Sequence, residues 1–304
     1  MPCASTSQRL NDSTHQRINA STHQRINAST HQRINASTHQ RINMINIVIA
    51  AGYATRLGEL TKNFPKPLLE IGKTTILGRM LDDIDRIPQI TEHVIVTNHK
   101  FAHIFEEWAA KQTYTKPIRI IDDGTETNET RLGAVCDLIL AIKSLPSLSE
   151  RAEGELVNSL PQGGGQEGAL VVAADNILHF SFQEFVDFAN QKQTSCIMCH
   201  EQPSIEKLQR TGVVVLDEND KVVNMEEKPQ QPKSHWAVPP FYIYMAKDIP
   251  LILDSINNGC GKDAPGNLAH YMVEHTDMHA WKMTAGRFDI GSLDTYEEAK
   301  RIYG

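Results

Sequence analysis

The sequence predicts an α/β protein, with a mostly parallel, mixed sheet flanked by helices and a β-rich part added after it. Three observations carry that expectation. Near-continuous apolar runs at residues 47–50, 94–96, 118–121 and 169–173 alternate with segments whose apolar residues fall at helical spacing. Such runs are the mark of strands buried on both faces between crossover helices. The first run breaks at once into Ala51-Gly52-Tyr53-Ala54-Thr55-Arg56-Leu57, a loop of small residues ending in an arginine. Parallel sheets place their ligands beyond the carboxyl ends of their strands, where this loop falls. From Thr194 the pattern turns to extended segments and tight turns, which reads as the mixed or antiparallel addition.

The first 43 residues are of another kind. Ser-Thr-His-Gln-Arg-Ile-Asn-Ala begins at Ser13, Ser21 and Ser29, and a fourth copy from Ser37 runs into Met44. A period of eight sets Ile18, Ile26, Ile34 and Ile42 about 80° apart on a helix, so they form no stripe. The expectation is a disordered tail over residues 1–43, with Met44 as the start of the functional chain. The remainder, 44–304, is expected to be one domain in two halves, 44–193 and 194–304.

Within that domain the elements come in order. After the opening loop, Ile76, Leu77, Met80, Leu81, Ile84 and Ile87 predict a helix, then a strand at 94–96. Ile104, Phe105 and Trp108 predict a second helix before the strand at 118–121, and Leu132, Val135, Leu138, Ile139 and Ile142 a third. Residues 146–168 are Gly- and Gln-rich with little periodicity, and read as an exposed, mobile insertion. A helix starting at Ser181 is expected to carry a capping box with Glu184. Strands are then expected at 196–199, 213–216, 222–225 and 241–245. Asp294 and Glu297 are expected to cap the terminal helix.

Composition narrows the partners. Hydrophobic residues make up 40% and the formal net charge is −7, with five arginines of the tail standing against Asp12 alone, so the remainder is more acidic still. That balance argues against nucleic acid as a partner. No apolar run approaches the roughly 18 residues of a membrane span, so a cytoplasmic protein without membrane attachment is expected. Five cysteines without a spaced framework read as reduced thiols.

The chemistry is concentrated in Ala51-Gly52-Tyr53-Ala54-Thr55-Arg56-Leu57 and, ten residues past the arginine, Pro65-Lys66-Pro67-Leu68-Leu69. Small residues let backbone N–H groups approach a polyphosphate, and two cations answer its charge. This pattern resembles the opening of the sugar-1-phosphate nucleotidyltransferases, and the resemblance extends over residues 44–304. It implies a Rossmann-like sheet of the nucleotide-diphospho-sugar transferase type and condensation of an NTP with a sugar 1-phosphate, giving NDP-sugar and pyrophosphate. By the same resemblance Arg56 contacts the departing phosphates, Lys66 lies near the α-phosphate, and Ala51 and Gly52 line the nucleotide. Asp175 and Asp289, in Ala174-Asp175 and Phe288-Asp289-Ile290-Gly291, would ligate Mg²⁺. Gly212, Glu227 and Lys228 match the sugar-phosphate wall. Residues 122–134 occupy the place of the base-reading loop, where Asn128 or a neighbour would read the base edge and Gly133 would allow its close approach. The family's Gly-Asp is Ala174-Asp175 here, and its second loop glycine is Ala54. Homo-oligomerisation is left open.

Two other readings stand beside this one. A cytidylyltransferase-type enzyme would use a non-sugar phosphomonoester such as phosphocholine, and a catalytically silent regulator would bind NDP-sugar only. Lys262-Asp263-Ala264-Pro265-Gly266-Asn267 either closes over the acceptor or starts a helix, and proline's preference for a first helical turn favours the second. Cys196-Ile197-Met198-Cys199-His200 has the form of a haem attachment motif, but strand alternation puts its two sulfurs on opposite faces. Gly72-Lys73-Thr74 lacks the glycine five positions earlier that a P-loop needs, since Pro67 stands there.

Overall fold

The computed structural model describes residues 42–149 and 167–304. The first part holds β1 (Asn43–Ile49), short 3₁₀ turns at Thr55–Thr61 and Lys66–Leu68, β2 (Glu70–Ile71), β3 (Thr74–Thr75), α1 (Ile76–Ile84), β4 (Ile90–Thr97), α2 (His99–Ala109), β5 (Ile118–Asp122), α3 (Ala134–Lys143) and α4 (Pro146–Ser149). After residue 166 come β6 (Glu167–Ala173), β7 (Asn176–Leu178), α5 (Phe182–Lys192), β8 (Ser195–Glu201), α6 (Ile205–Leu208), β9 (Gly212–Leu216), β10 (Val222–Glu227), β11 (Trp236–Val238) and β12 (Phe241–Met245). The chain closes with α7 (Ile249–Asp254), α8 (Pro265–His275), β13 (Met278–Lys282), β14 (Arg287–Asp289) and α9 (Leu293–Tyr303).

The expected α/β architecture is present. One mixed sheet runs β10-β9-β11-β8-β12-β6-β1-β4-β5, with β13 also pairing β8. β6, β1, β4 and β5 are parallel, whereas β12 pairs antiparallel with both β6 and β8 and joins the second half to the first. Apolar side chains fill both faces. Val94, Val96, Val171 and Cys199 pack with α3, α7 and α8 on one side, while Val48, Ile95, Val172 and Cys196 pack with α1, α2 and α5 on the other. Cys196 and Cys199 thus lie on opposite faces, as alternation requires. Cys136, Cys196, Cys199 and Cys260 are free thiols. Among the described residues no helix is long and apolar enough to cross a membrane.

Several boundaries shift. Ile42, the last isoleucine of the repeat, is fully buried, its N–H donates to Asn190 Oδ1 at 3.0 Å, and Asn43 already pairs with Glu167 in β1. The folded unit therefore begins ahead of Met44, because β6 is long enough to offer residue 43 a partner. The rest of the expected tail lies outside the described residues. Of the expected insertion, 146–149 are helical and 167–168 belong to β6; residues 150–166 lie outside the described residues. Leu132 is not in the third helix: Gly133, at φ +93°, forms the N-cap, and Leu132 is exposed. The capping box at Ser181 is not made, because Glu184 Oε2 accepts instead from Thr284 Oγ1. The last helix is capped by Ser292 with Thr295, and Asp294 lies in its first turn.

Candidate active site

Four separate stretches meet beyond the carboxyl ends of the parallel strands. β1 delivers the small-residue loop. Asn98, fully buried after β4, caps α2 through Phe101 N–H and donates Nδ2 to the Ala51 carbonyl at 3.0 Å. Gly52 keeps an open side, since a Cβ there would meet no atom within 4 Å. Ala54 holds a left-handed conformation, φ 47° and ψ 39°, and its carbonyl accepts from Thr61 Oγ1 at 2.9 Å. A non-glycine residue pays roughly 1–2 kcal/mol there, so the loop keeps its shape although the glycine is gone.

Lys66, between two prolines on a 3₁₀ turn, is 7% exposed and reaches Asp175 Oδ2 at 3.0 Å. Asp175 comes just after β6, and its Oδ1 accepts from Asn176 Nδ2 at 2.7 Å. β14 pairs antiparallel with β7, which sets Asp289 opposite Asn176, and Ile290 N–H donates to the Asp175 carbonyl at 2.9 Å. The two expected carboxylates are therefore neighbours. Although 56% of the Asp289 side chain touches solvent, the surrounding protein holds its carboxyl above the ordinary range. Desolvation contributes most and the Asp175 charge next, against Arg287, Lys66 and Arg56. Arg56 Nη1 lies 3.7 Å from where a Cβ on Gly291 would stand.

Arg287 is the residue the sequence reading missed. Its Nη1 donates to Asn176 Oδ1 and lies 3.6 Å from Asp289 Oδ1, while its buried Nε has no partner among the described residues. The signal was available in Arg287-Phe288-Asp289, because strand alternation puts residues 287 and 289 on one face. Behind it, burial and then the Arg287 charge push the His200 imidazole down to about 4, so it stays neutral at physiological pH. Two carboxylates and three cations converge here, a set suited to handling phosphates together with a hard cation.

The remaining expected residues form other groups. Glu227 faces Gly212 across the β9–β10 ladder, and its Oε2 lies 3.2 Å from where a Gly212 Cβ would be. Burial raises the Glu227 carboxyl, against the opposing charge of Lys228. Lys228 takes φ +50°, donates its N–H to the Thr211 carbonyl at 3.1 Å, and sets Nζ 3.7 Å from Glu227 Oε1. A left-handed non-glycine residue stores strain of the kind found at ligand sites. Asn128 shares a cavity of about 250 Å³ with Tyr53, Thr55, Gly58, Lys62 and Lys100, beside the small-residue loop. The close approach at Gly133 is occupied by the chain itself, as a Cβ there would stand 2.6 Å from the Lys262 carbonyl oxygen.

The loop after β5 rests on an acid pair, half-buried Asp123 and buried Asp137. Thr125 ties it to the first loop, accepting from His99 N–H at 2.9 Å through its carbonyl and lying 3.4 Å from the Tyr53 hydroxyl. Asp137, in the first turn of α3, is pushed up to about 7 by burial, then by the charge of Asp123 and a hydrogen bond to it. The folded state thus holds a proton that the unfolded chain has lost between pH 3.8 and about 7. Stability contributed by this pair therefore falls as pH rises through that window and levels off above it. Asp137→Asn keeps a donor toward Asp123 and is expected to flatten this slope, at most about 1.4 kcal/mol per pH unit. Urea unfolding at pH 5 and pH 8 measures it. An unchanged slope in the variant would assign the dependence to other groups.

The small-residue loop, paired carboxylates and clustered cations lie at the carboxyl ends of the parallel strands, where open α/β sheets place their ligand sites. The chain belongs to the nucleotidyl transferase family, whose model matches residues 45–304. It is 25% identical over 265 residues to a glucose-1-phosphate adenylyltransferase of Fervidobacterium nodosum, covering 84% of this chain and 60% of that one. To the glucose-1-phosphate adenylyltransferase of Clostridium acetobutylicum it is 22% identical over 268 residues, 84% of this chain and 66% of that one. The chain thus spans about three fifths to two thirds of the length of these relatives. A UDP-glucose pyrophosphorylase solved with UDP-glucose has the same fold, at a TM-score of 0.66 and 19% identity, covering 86% of this chain and 98% of that one.

Proposed function

We propose that this protein condenses an NTP with a sugar 1-phosphate, releasing pyrophosphate, with Mg²⁺ held by Asp175 and Asp289. The observation that carries the reading is the convergence of Arg56, Lys66, Asp175, Arg287 and Asp289 from four separate stretches of chain. A lone phosphate-binding loop needs no adjacent carboxylates. The donor set fits a hard cation: two neighbouring carboxylates supply oxygen ligands, and a cation so held completes its shell with phosphate or water oxygens. Among the described residues no cluster of three or more His, Cys, Asp or Glu side chains is placed to form a complete protein cage.

When bound, the cation would neutralise phosphate charge and help align the α-phosphate. The chain's own groups supply the rest. Gly52 leaves the small-residue loop open to close backbone approach by phosphates. Arg56 offers a planar fork to the departing pyrophosphate. Lys66, held by its prolines and desolvated by burial, presents a positive charge where negative charge grows in the transition state. Arg287 adds a second fork beside Asp289. Glu227 accepts from sugar hydroxyls, and Lys228 pairs with the sugar phosphate. Such a displacement needs alignment and charge more than covalent help.

The test is pyrophosphate release across four NTPs, each with a panel of sugar 1-phosphates and with phosphocholine, in Mg²⁺ and in excess EDTA. The reading expects release with at least one sugar 1-phosphate and its loss in EDTA. Release with phosphocholine alone would move the protein to the cytidylyltransferase type, and undiminished release in EDTA would remove the metal from the proposal.

A further inference from the structure

One short strap touches both halves of the site. At its start, the carbonyls of Lys262 and Asp263 accept from Val135 N–H at 3.0 Å and Ala134 N–H at 3.4 Å, at the N-terminus of α3. Gly133 fits there only because it lacks a Cβ, and Arg131 Nη2 lies 3.4 Å from Asp263 Oδ1. Just beyond them Pro265 opens α8, whose N-cap residue Ala264 has no side chain able to bond the free N–H groups. Gly266 is next, and a Cβ on it would stand 1.9 Å from Glu227 Oε2 and 2.7 Å from Glu227 Cδ. The Glu227 carboxylate thus lies in the space of the missing methyl, over the first turn of α8, where the helix dipole favours negative charge. Gly212 flanks the same carboxylate from β9.

We infer that residues 262–266 form a positioning strap that fixes Glu227 relative to the loop after β5, and that Gly266 is the positioning residue on which acceptor binding depends. This rests on the reading of Glu227 as an acceptor for sugar hydroxyls. The strap is anchored on the nucleotide side by backbone hydrogen bonds and on the acceptor side by a glycine that only a carboxylate's width separates from β10. A methyl at 266 has no room while Glu227 keeps its place. The crowded group is the far end of a flexible side chain, so the expected response is its displacement and not unfolding. The alternative is structural: Glu227 merely satisfies the end of α8, and its displacement would reach stability only.

The experiment compares Gly266→Ala, Glu227→Ala and the double variant with the unaltered chain. It reads Km for the sugar 1-phosphate and for the NTP, affinity for UDP-glucose and ADP-glucose by calorimetry, and the unfolding midpoint. Gly266→Ala is expected to raise the sugar 1-phosphate Km about 10- to 100-fold, the span of one lost hydrogen bond to a charged group, with the NTP Km within about twofold. Glu227→Ala should do the same, and the double variant should be no worse than Glu227→Ala alone, as residues acting through one contact are non-additive. If crowding unfolds Gly266→Ala, the double variant against Glu227→Ala decides: equal acceptor Km supports the strap, a further rise overturns it. An unchanged acceptor Km in Gly266→Ala, or equal losses for both substrates, overturns it as well. Absence of turnover in the unaltered chain would defeat the proposed function. NDP-sugar affinity weakened by Gly266→Ala would then still support the strap, and unweakened or undetectable affinity would overturn it.

Discussion

Asp175→Asn is expected to lower pyrophosphate release by about three orders of magnitude or more, the scale of removing a charged metal ligand at a phosphoryl site. The substitution keeps size and leaves one oxygen to accept from Lys66, which now lies 3.0 Å from Asp175 Oδ2. It removes the negative charge that, with Asp289, would hold the cation. The single amide oxygen can keep only one of the two bonds, from Lys66 or from Asn176 Nδ2, but the Asp175 side chain is 32% exposed, so the loss is limited by access to water. The fold should therefore survive, with an unfolding midpoint displaced by only a few degrees. Turnover within tenfold of the unaltered chain at saturating Mg²⁺ would remove Asp175 from the metal site.

Lys66→Ala is expected to lower kcat by about 10²- to 10³-fold while the NTP Km changes less than about fivefold. Burial sets this expectation. With the Lys66 side chain 8% exposed, its charge acts through little water, and proline on each side limits where it can go. A charge held in that way favours a transition state over a ground state, because nothing must reorganise when charge develops at the α-phosphate. An exposed lysine would instead contribute to binding both states alike. Steady-state kinetics separate the two: a large rise in Km at constant kcat would make Lys66 a binding residue and contradict the assignment. The variant also leaves Asp175 without its 3.0 Å partner, so the midpoint should be measured alongside.

Much of this site was legible in the chain because its groups fall at strand ends. Apolar runs end at Ala50 and Ala173, and residues just past a buried parallel strand are exposed at its carboxyl edge. Asp175 and the small-residue loop were readable on that ground. Ala54 was readable only as a methyl where the family has glycine; the left-handed φ of 47° that it holds is strained for such a residue and had no mark in the chain. Arg287 was passed over because Arg287–Asp289 was not read as a strand; as a strand, its alternation sets residues 287 and 289 on one face, and pairing with β7 brings Arg287 to Asn176. β11 and β13 were missed for a related reason. Trp236–Val238 is apolar but only three residues long, and Met278–Lys282 mixes polar with apolar residues, so neither shows a pattern apart from its neighbours in the sheet. Capping went wrong where local spacing competed with tertiary partners, since Glu184 meets Thr284, a hundred residues away. Gly133 was read as room for a ligand, yet the atoms that need the room are the backbone of Lys262 and Asp263. No sequence separation of that length announces itself locally.

The most direct measurement is ³¹P NMR of the purified chain incubated with an NTP, a sugar 1-phosphate and Mg²⁺. The account predicts that, for at least one pair, the α-phosphorus signal of the NTP is replaced by the paired diphosphate signals of an NDP-sugar. Free pyrophosphate should appear in equal amount, and neither product should form when either substrate is left out. A folded protein that binds NDP-sugar but forms neither product with any pair would contradict the account and leave a regulator on an enzyme's fold.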